Sequence, residues 1–270
     1  MRSMRIAGML LGLGLVLAAA SAHAQEAAKQ ELAPTGTLRV AIAVGPAPSG
    51  IYVLKDAATG GYRGVTIDLS TKLAEKLGVP IAFVPYLGSG DIQGSADKGL
   101  WDVTFMPVDD ERRKFVDFGS PYHLLQSTYL VASGSSIQAL AGANAAGVRI
   151  AGVKDTATFR ASNRASPNAT HIALGGVDEA IELMRAGNAD AIALGRASLG
   201  GLTGKLPGAR VLDGGFLNST TAVAVPKGRP AVLAYVSAFI EEAKASGLLR
   251  RAFDDIGLKA EQVAPTGMKP

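Results

Sequence analysis

Polar side chains that could hold an anion follow several apolar runs of the sequence. Arg112 comes shortly after one such run, Thr156 and Thr158 follow a second, and Arg196 follows a third. An arginine offers a rigid fork of donors that matches two carboxylate oxygens, and the free N–H groups at the start of a helix also suit an anion. These residues therefore predict that the protein binds a small anionic group.

Groups that would indicate catalysis or a metal site are sparse. Of the three histidines, His23 lies near the N-terminus, while His123 and His171 are isolated along the chain. The sequence has no cysteine, no G-x-S-x-G motif, no phosphate-binding loop and no cluster with metal-ligand spacing. General acid–base catalysis needs a positioned acid or base, and no Asp or Glu lies between Leu194 and Leu199, after one of the apolar runs. We therefore expect a binding protein without catalytic residues, metal or cofactor.

The first 24 residues have the organisation of a cleaved secretory signal peptide. Arg2 and Arg5 give a positive start, an apolar run extends over residues 9–20, and small residues at Ala22 and Ala24 fit a cleavage site before residue 25. A membrane anchor is the alternative, but the run is too short to span a bilayer of about 30 Å. Without cysteine there is no residue to acylate as a lipoprotein anchor. We expect a free periplasmic protein.

Composition and charge exclude two further classes of protein. The 270 residues are 48% hydrophobic and 19% charged, which is typical of a compact globular chain and not of a disordered one. The formal net charge is +4, and the longest basic run is Arg112-Arg113-Lys114. A phosphate backbone requires a larger basic footprint than this. Nucleic acid is therefore not an expected partner.

Hydrophobic periodicity predicts alternating strands and helices after a loosely held, Ala-rich leader at residues 25–37. Predicted strands lie at 38–44, 80–85, 101–106, 148–153, 171–174, 189–194 and 221–225, and predicted helices at 67–77, 92–98, after 156, and at 177–186, 230–246 and 248–256. This alternation indicates an α/β fold with a mostly parallel sheet flanked by helices, in two blocks of similar size. Ligands of such sheets lie beyond the carboxyl ends of the strands.

Five short motifs occur in one order along the chain. They are Gly64–Leu69 (G-V-T-I-D-L), Gly99–Val103 (G-L-W-D-V), Asp109–Arg112 (D-D-E-R), Val116–Tyr122 (V-D-F-G-S-P-Y) and Arg185–Ala191 (R-A-G-N-A-D-A). In this order and spacing, from about residue 38 to 256, the chain resembles the family 3 bacterial extracellular solute-binding proteins. The resemblance implies a two-lobed type II periplasmic-binding fold, with one lobe formed by residues 38–127 plus 226–270 and the other by 128–225. It also implies two hinge strands, near 126–131 and 221–225.

The resemblance assigns binding roles to residues of the first lobe. Arg112 falls on the arginine that grips the ligand carboxylate in amino-acid receptors; the alternatives are a solvated side chain or a pair with Asp109 or Asp110. Residues 104–108 match the segment that lines the wall of the first lobe, which makes Thr104 and Met106 ligand-contact candidates. Core packing is the alternative for this apolar wall.

The second lobe contains the most informative departure from the family. Thr156 and Thr158 match a loop that enters a helix, although a helix-capping role is also compatible with their positions. Amino-acid receptors commonly place an Asp after the strand that ends here at Leu194, to hold the ligand ammonium, whereas this chain has Gly195 and Arg196. An Arg196 that faces the cleft would favour a mono- or dicarboxylate or a keto acid over a zwitterion; a solvent-facing Arg196 remains the alternative.

The acidic and aromatic residues that such receptors often carry at residues 43–49 are missing too. Tyr52 lies nearby in the sequence and could stack on a ligand. Tyr52 is thus the one aromatic residue among the predicted ligand contacts, and it does not lie at the end of a predicted strand.

The resemblance implies capture of an amino acid or organic acid and its delivery, by a monomer, to an ABC permease in the inner membrane. Two rival functions remain open. A few proteins that resemble the family are periplasmic dehydratases of the cyclohexadienyl type, and others could be accessory proteins of a periplasmic dehydrogenase.

Overall fold

The computed structural model describes residues 26–45 and 49–270. The predicted signal peptide, residues 1–24, lies outside the described residues. Helix α1 covers residues 26–32, and Leu32 is fully buried in the same apolar cluster as Leu38. An ion pair between Arg229 and Glu31, with Nε 3.6 Å from Oε1, also fastens this segment. The prediction of a loosely held leader at residues 25–37 is therefore wrong for its described part, because α1 contributes an apolar side chain to the core.

Most of the remaining elements follow the predicted alternation, whereas the long strand at Val116–Val131 exceeds the hinge predicted near 126–131 and the helix at Arg196–Gly200 was not predicted. The helices are α2 (Val65–Leu77), α3 (Ser89–Gln93), α4 (Ala157–Ala165), α5 (Val177–Arg185), α6 (Arg196–Gly200), α7 (Pro230–Ala245) and α8 (Leu248–Asp255), with 3₁₀ turns at Arg112–Lys114 and Leu140–Ala143. The strands are β1 (Leu38–Ala43), β2 (Leu54–Lys55), β3 (Tyr62–Arg63), β4 (Ile81–Tyr86), β5 (Val103–Pro107), β6 (Val116–Val131), β7 (Arg149–Val153), β8 (Thr170–Leu174), β9 (Ala191–Gly195), β10 (Arg210–Val211) and β11 (Leu217–Pro226). None of the helices in the described ranges is long and apolar enough to cross a membrane.

Two long strands connect two parallel blocks of the main sheet. The strand order is β4-β1-β5-β11-β6-β9-β7-β8, with β10 also paired to β6. Strands β4, β1 and β5 are parallel, as are β9, β7 and β8, whereas β6 and β11 run antiparallel to their neighbours. We call the block with β1, β4 and β5 the first lobe and the block with β7, β8 and β9 the second lobe. The predicted α/β fold, with mostly parallel sheets and two connecting strands, is confirmed.

Each lobe has its own apolar core. In the first lobe α2, α7 and α8 bury residues such as Phe253 against the sheet, and Trp101 lies in a second cluster on the other face. In the second lobe one cluster contains Ile192 and the other contains Tyr129. Burial of one large apolar side chain stabilises a fold by about 1.5–3 kcal/mol, so each lobe has a core that holds its strands in place.

The two lobes also repeat one polar contact where their first strands begin. In the first lobe the Arg39 guanidinium binds the Asp102 carboxylate, with Nη2 2.7 Å from Oδ1 and Nε 3.0 Å from Oδ2. In the second lobe Arg149 and Asp190 form the same contact at 2.8 Å and 3.0 Å. In both, the arginine also donates to the carbonyl of the glycine three residues before the aspartate. In both lobes, the aspartate of a G-x-x-D segment thus holds the arginine at the start of a parallel strand, β1 in the first lobe and β7 in the second.

Local sequence signals explain two of the helix ends near the site. Helix α2 stops at Gly78, whose φ of 71° is left-handed and suits glycine. Helix α3 differs from its prediction at residues 92–98: it begins at Ser89, and the Asp91 carboxylate accepts a hydrogen bond from the Gly88 N–H at 2.9 Å. This local cap moves the start of the helix toward the N-terminus and so brings Ser89 toward the carboxyl ends of the strands.

Candidate functional site

A cavity of about 150 Å³ lies between the lobes, at the carboxyl ends of their parallel strands. Its wall is formed by residues from both lobes: Ala41, Ile42, Ala43, Gly45, Tyr52, Val53, Thr66, Leu87, Gly88, Ser89, Ile92, Phe105, Pro107, Arg112, Leu125, Val153, Thr156, Ala157, Thr158, Leu194, Gly195 and Ser198. This is the position at which open α/β sheets bind ligands.

The Arg112 side chain is fully buried in the wall of this cavity. Its Nη1 donates to the Pro107 carbonyl at 3.1 Å and its Nη2 to the Ser89 hydroxyl at 2.6 Å, while Nε has no partner among the described residues. Within the same residues, no carboxylate lies close enough to form an ion pair with Arg112. A buried cation without a counter-ion is costly, so the site is electrostatically prepared for an anion.

The surroundings of Arg112 disfavour its charge. Burial, together with the positive charge of Arg160, lowers the pKa of Arg112 to about 10, and Tyr52 and Asp109 act in the opposite direction. The side chain is still protonated at neutral pH. Burial raises the pKa of Tyr52, whose hydroxyl lies 3.3 Å from Thr221 Oγ1, so Tyr52 is a neutral hydroxyl beside the cation.

The start of α4 forms the opposite wall in the second lobe. The Thr156 hydroxyl accepts a hydrogen bond from the Phe159 N–H at 3.1 Å and donates to the Val153 carbonyl at 2.8 Å, so it caps the helix. Ala157 and Thr158 begin the first turn, whose N–H groups have no acceptor inside a helix. Since both residues line the cavity, these N–H groups and the Arg112 guanidinium give an anion donors from both lobes.

Five of the predicted contact residues line this cavity, namely Tyr52, Arg112, Thr156, Thr158 and Gly195. The Thr158 hydroxyl also contacts the protein itself, with Thr158 Oγ1 2.9 Å from Ser127 Oγ. Arg112 is neither solvated nor paired with Asp109 or Asp110, the alternatives open from the sequence.

The structure places Thr104 and Met106 away from the cavity. The Thr104 hydroxyl donates to the Ala41 carbonyl at 2.9 Å, and Met106 is buried in the apolar cluster that contains Trp101. Successive side chains of a strand point to opposite faces, and it is Phe105 and Pro107 of β5 that line the cavity. The prediction for Thr104 and Met106 selected the wrong face of this strand.

Arg196 is also placed outside the cavity, and it does not extend into solvent. Its Nε donates to Gln126 Oε1, and its Nη2 donates to the carbonyls of Leu212, at 2.8 Å, and Gly214. The side chain lies beside β6 and borders a second groove, which is lined by residues of both lobes, among them Asp109 and Arg113 of the first lobe and Arg164 of the second. Three acceptors from distant segments hold the guanidinium there, away from the cavity at Arg112.

Two features of the site were not recognised in the sequence. Ser89 holds the Arg112 guanidinium from α3, and the signal for this would have been the Gly88-Ser89-Gly90 turn after β4. Asp109 of the first lobe pairs with Arg160 of α4, with Nη2 2.6 Å from Oδ1. No sequence spacing indicates that second contact, because the two residues are 51 positions apart.

Chemically reactive groups are not concentrated at the cavity. Within residues 26–45 and 49–270, no three His, Asp or Glu side chains come together as metal ligands would. His123 lies elsewhere, with Nε2 2.8 Å from Glu261, and His171 contacts Ser162 in the second lobe. The geometry therefore favours reversible binding of a small anion.

Comparison with known proteins identifies a family and similar relatives. The model of the bacterial extracellular solute-binding proteins, family 3, matches residues 38–257. The ABC transporter glutamine-binding protein GlnH of Bacillus subtilis (strain 168) is 24% identical over 208 residues, which are 73% of each chain.

Solved structures show the same fold. The ancestral amino acid-binding protein AncCDT-1, a precursor of cyclohexadienyl dehydratase, has a TM-score of 0.73 and 27% identity, covering 84% of this chain and 98% of its own. An arginine-bound amino acid ABC transporter substrate-binding protein of Streptococcus pneumoniae, AbpA, has a TM-score of 0.72 and 22% identity, covering 83% and 96%. The type II periplasmic-binding fold is therefore shared.

Proposed function

Because the chain belongs to the family 3 bacterial extracellular solute-binding proteins, we propose that it captures a small carboxylate-bearing solute between its lobes for an ABC permease of the inner membrane. One observation carries the proposal: the fully buried Arg112 guanidinium lines the interlobe cavity without a carboxylate partner among the described residues. A bound carboxylate would supply the missing negative charge and accept paired hydrogen bonds.

Closure of the lobes around the solute is the proposed working cycle. Lobes formed by residues 38–127 plus 226–270 and by 128–225 would rotate about the long strands, near 126–131 and 221–225. The solute would contact Arg112 on one side and the start of α4 on the other only when the lobes are shut. Such differential contact shifts the population toward the closed form. The closed form would then be the shape that the permease recognises.

Location and assembly follow from the same proposal. A signal peptide at residues 1–24 would direct the chain to the periplasm, where it would act as a monomer. The absence of cysteine allows spin labels to be placed at introduced cysteines, one at Lys98 in the first lobe and one at Asn168 in the second, both exposed. A shorter distance between the labels on addition of solute would support closure, and an unchanged distance with a bound solute would contradict it.

Substitution of Arg112 tests the proposed capture directly. Calorimetry with a panel of amino acids and organic acids should show at least a 100-fold loss of affinity in Arg112→Met, because the carboxylate loses its charged partner. Lys114→Met is the matched control, since it removes an exposed positive charge two residues away and should bind as the wild type does.

The fold of the variant is checked separately. Arg112→Met removes a buried charge without a counter-ion, so the ligand-free protein should melt at the same temperature or higher. Lost binding with intact melting would support the carboxylate grip. Wild-type affinity in Arg112→Met, or a wild type that binds no member of the panel, would refute the proposed function.

A dehydratase of the cyclohexadienyl type is the rival that the structural similarity to AncCDT-1 raises. That chemistry needs a general acid, and no Asp, Glu or His is among the described residues that line the cavity. We therefore propose binding without catalysis. Release of product from prephenate by the purified protein would overturn this part of the proposal.

An accessory role beside a periplasmic dehydrogenase is a second rival. Genes for a permease and an ATPase next to the gene for this chain would support transport. A quinoprotein dehydrogenase gene in their place would support the accessory role.

A further inference from the structure

The described wall of the interlobe cavity has a single ionised side chain. Of the described residues that line it, only Arg112 carries a charge, and none is Asp or Glu. Residues 46–48, which follow the lining residue Gly45 in the sequence, are Pro-Ala-Pro and have no carboxylate to offer. The cavity therefore has a partner for a carboxylate and no acidic partner for an ammonium group.

The acidic residue that acts electrostatically on Arg112 is Asp109, and it already has hydrogen-bond partners in the protein. Asp109 acts electrostatically on Arg112 but accepts hydrogen bonds from Arg160, at 2.6 Å and 3.3 Å, and from the Glu111 N–H at 3.0 Å. Its side chain is 8% exposed and does not line the cavity. The Asp109 carboxylate is thus directed toward Arg160 of the second lobe and not into the cavity.

The neutral acceptors at the cavity are largely engaged as well. The carbonyls of Ala41, Pro107 and Val153 already accept hydrogen bonds from protein side chains. The hydroxyls of Thr156 and Thr158 bind other protein groups. An ammonium group has three N–H donors, so it would share several of these oxygens with protein donors and would meet no carboxylate among the described lining residues.

The remaining wall is apolar and the space is small. Ile92, Phe105, Leu125 and Leu194 line the cavity, whose volume is about 150 Å³. A closed apolar cavity of about this volume holds a benzene-sized molecule. A second carboxylate on the ligand would lie in this apolar part without a cation. The space thus suits one carboxylate attached to a short apolar group.

We infer that the solute is a small monocarboxylate without an ammonium group, such as a 2-oxo, 2-hydroxy or unsubstituted short-chain acid. This inference rests on the proposed carboxylate capture and narrows it. A monoanion leaves the site neutral, whereas a zwitterion leaves two cations, Arg112 and the ammonium, facing one carboxylate. The unpaired positive charge of Arg112 therefore disfavours the binding of amino acids relative to acids without an ammonium group.

Matched pairs of acids test the inference on the signal-free chain. L-valine, 3-methyl-2-oxobutanoate, 2-hydroxy-3-methylbutanoate and 3-methylbutanoate share a branched apolar group, and L-phenylalanine with phenylpyruvate and 3-phenylpropanoate extends the set; L-glutamine is included for comparison. Calorimetry should give at least tenfold tighter binding for the best acid without ammonium than for its amino acid. Equal or tighter binding of an amino acid would overturn the inference and leave the carboxylate grip standing. Failure of every acid to bind, or binding that is indifferent to Arg112→Met, would overturn the proposed function itself.

A reversal of preference can be designed at Gly195. This residue lines the cavity, its φ of −60° is open to any L-residue, and the nearest atom to an added Cβ is Leu125 Cδ1 at 3.4 Å. Gly195→Asp should shift the affinity ratio at least tenfold toward the amino acid of each pair, because it supplies the missing carboxylate. Gly195→Asn has nearly the same shape without the charge and should leave the ratio unchanged. The same shift of the affinity ratio in Gly195→Asp and Gly195→Asn would contradict the inference. So would an unchanged ratio in Gly195→Asp, provided that thermal melting shows this variant to be folded.

Discussion

Asp109 of the first lobe and Arg160 of the second form an ion pair across the gap between the lobes, with Arg160 Nη2 2.6 Å from Asp109 Oδ1. Asp109 follows β5 and Arg160 lies in the second turn of α4. The pair stands beside the cavity but is not part of its wall. It therefore stabilises the arrangement in which the lobes are together without touching the proposed solute.

Removal of this pair should weaken binding by favouring separation of the lobes. Asp109→Asn and Arg160→Met should each lower the affinity for the tightest acid of the panel about tenfold, which corresponds to about 1.4 kcal/mol for a partly buried pair of charged groups. The double variant should be no weaker than the worse single variant, because both changes remove the same contact. Calorimetry on the four proteins measures this, and additive losses would exclude the pair as the cause.

The same pair predicts how binding depends on pH. Burial by itself raises the pKa of Asp109, but the hydrogen bond and charge of Arg160 outweigh it, and the pKa of this carboxyl lies below its ordinary value. When the lobes are separated, the pKa of the Asp109 carboxyl would return toward about 3.9. The contribution of the pair to closure is thus complete above this value and is lost as the pH falls below it toward the lowered pKa.

The ratio of wild-type to Asp109→Asn affinity isolates this effect, because protonation of the solute cancels in the ratio. We expect a ratio of about ten at pH 7 that declines toward one below about pH 4. Circular dichroism at each pH verifies that both proteins remain folded. A ratio that stays constant over this range would show that Asp109 does not couple protonation to closure.

Much of the fold is predictable from the sequence, and particular residues explain why. The helical spacing at residues 67–77, before Gly78, is a local signal that the structure retains. Burial on both faces limits prediction elsewhere. Thr104, Phe105 and Met106 are all buried, so no alternation of polar and apolar residues shows which face of β5 meets the cavity.

The site is predictable only where one residue type defines the chemistry. The family resemblance drew attention to Arg112, whose guanidinium suits a carboxylate, and the structure buries this side chain in the cavity wall. The orientation of Arg196 could not, since its acceptors Gln126, Leu212 and Gly214 are brought to it by the tertiary fold. Long-range contacts of this kind decide which of two arginines faces the cavity.

The repeated contact at the start of β1 and β7 should have unequal effects on stability in the two lobes. The Asp102 side chain is 1% exposed and the Asp190 side chain 35% exposed. Asp102→Asn should lower the free energy of unfolding by about 2–3 kcal/mol, because a buried pair loses its charge. Asp190→Asn should cost about 1 kcal/mol or less, since water screens that pair. Urea denaturation of both variants measures the difference, and equal losses would contradict the role of burial.

Contact between Gly90 and Asp155 offers a steric test of closure. A Cβ at Gly90 of α3 would lie 2.8 Å from the Asp155 Cβ in the second lobe, closer than carbon atoms pack. Gly90→Ala should therefore hold the lobes apart and weaken binding about tenfold. The ligand-free variant should be as stable as the wild type or up to about 1 kcal/mol more stable, because alanine is favoured over glycine in a helix.

A second substitution at Asp155 serves as the rescue. Asp155 has a left-handed φ of 59°, so Asp155→Gly removes the obstructing Cβ and also relieves backbone strain. The double variant Gly90→Ala, Asp155→Gly should recover wild-type affinity in calorimetry. Undiminished binding in Gly90→Ala, or a defect that Asp155→Gly fails to repair, would show that these residues do not limit how far the lobes close.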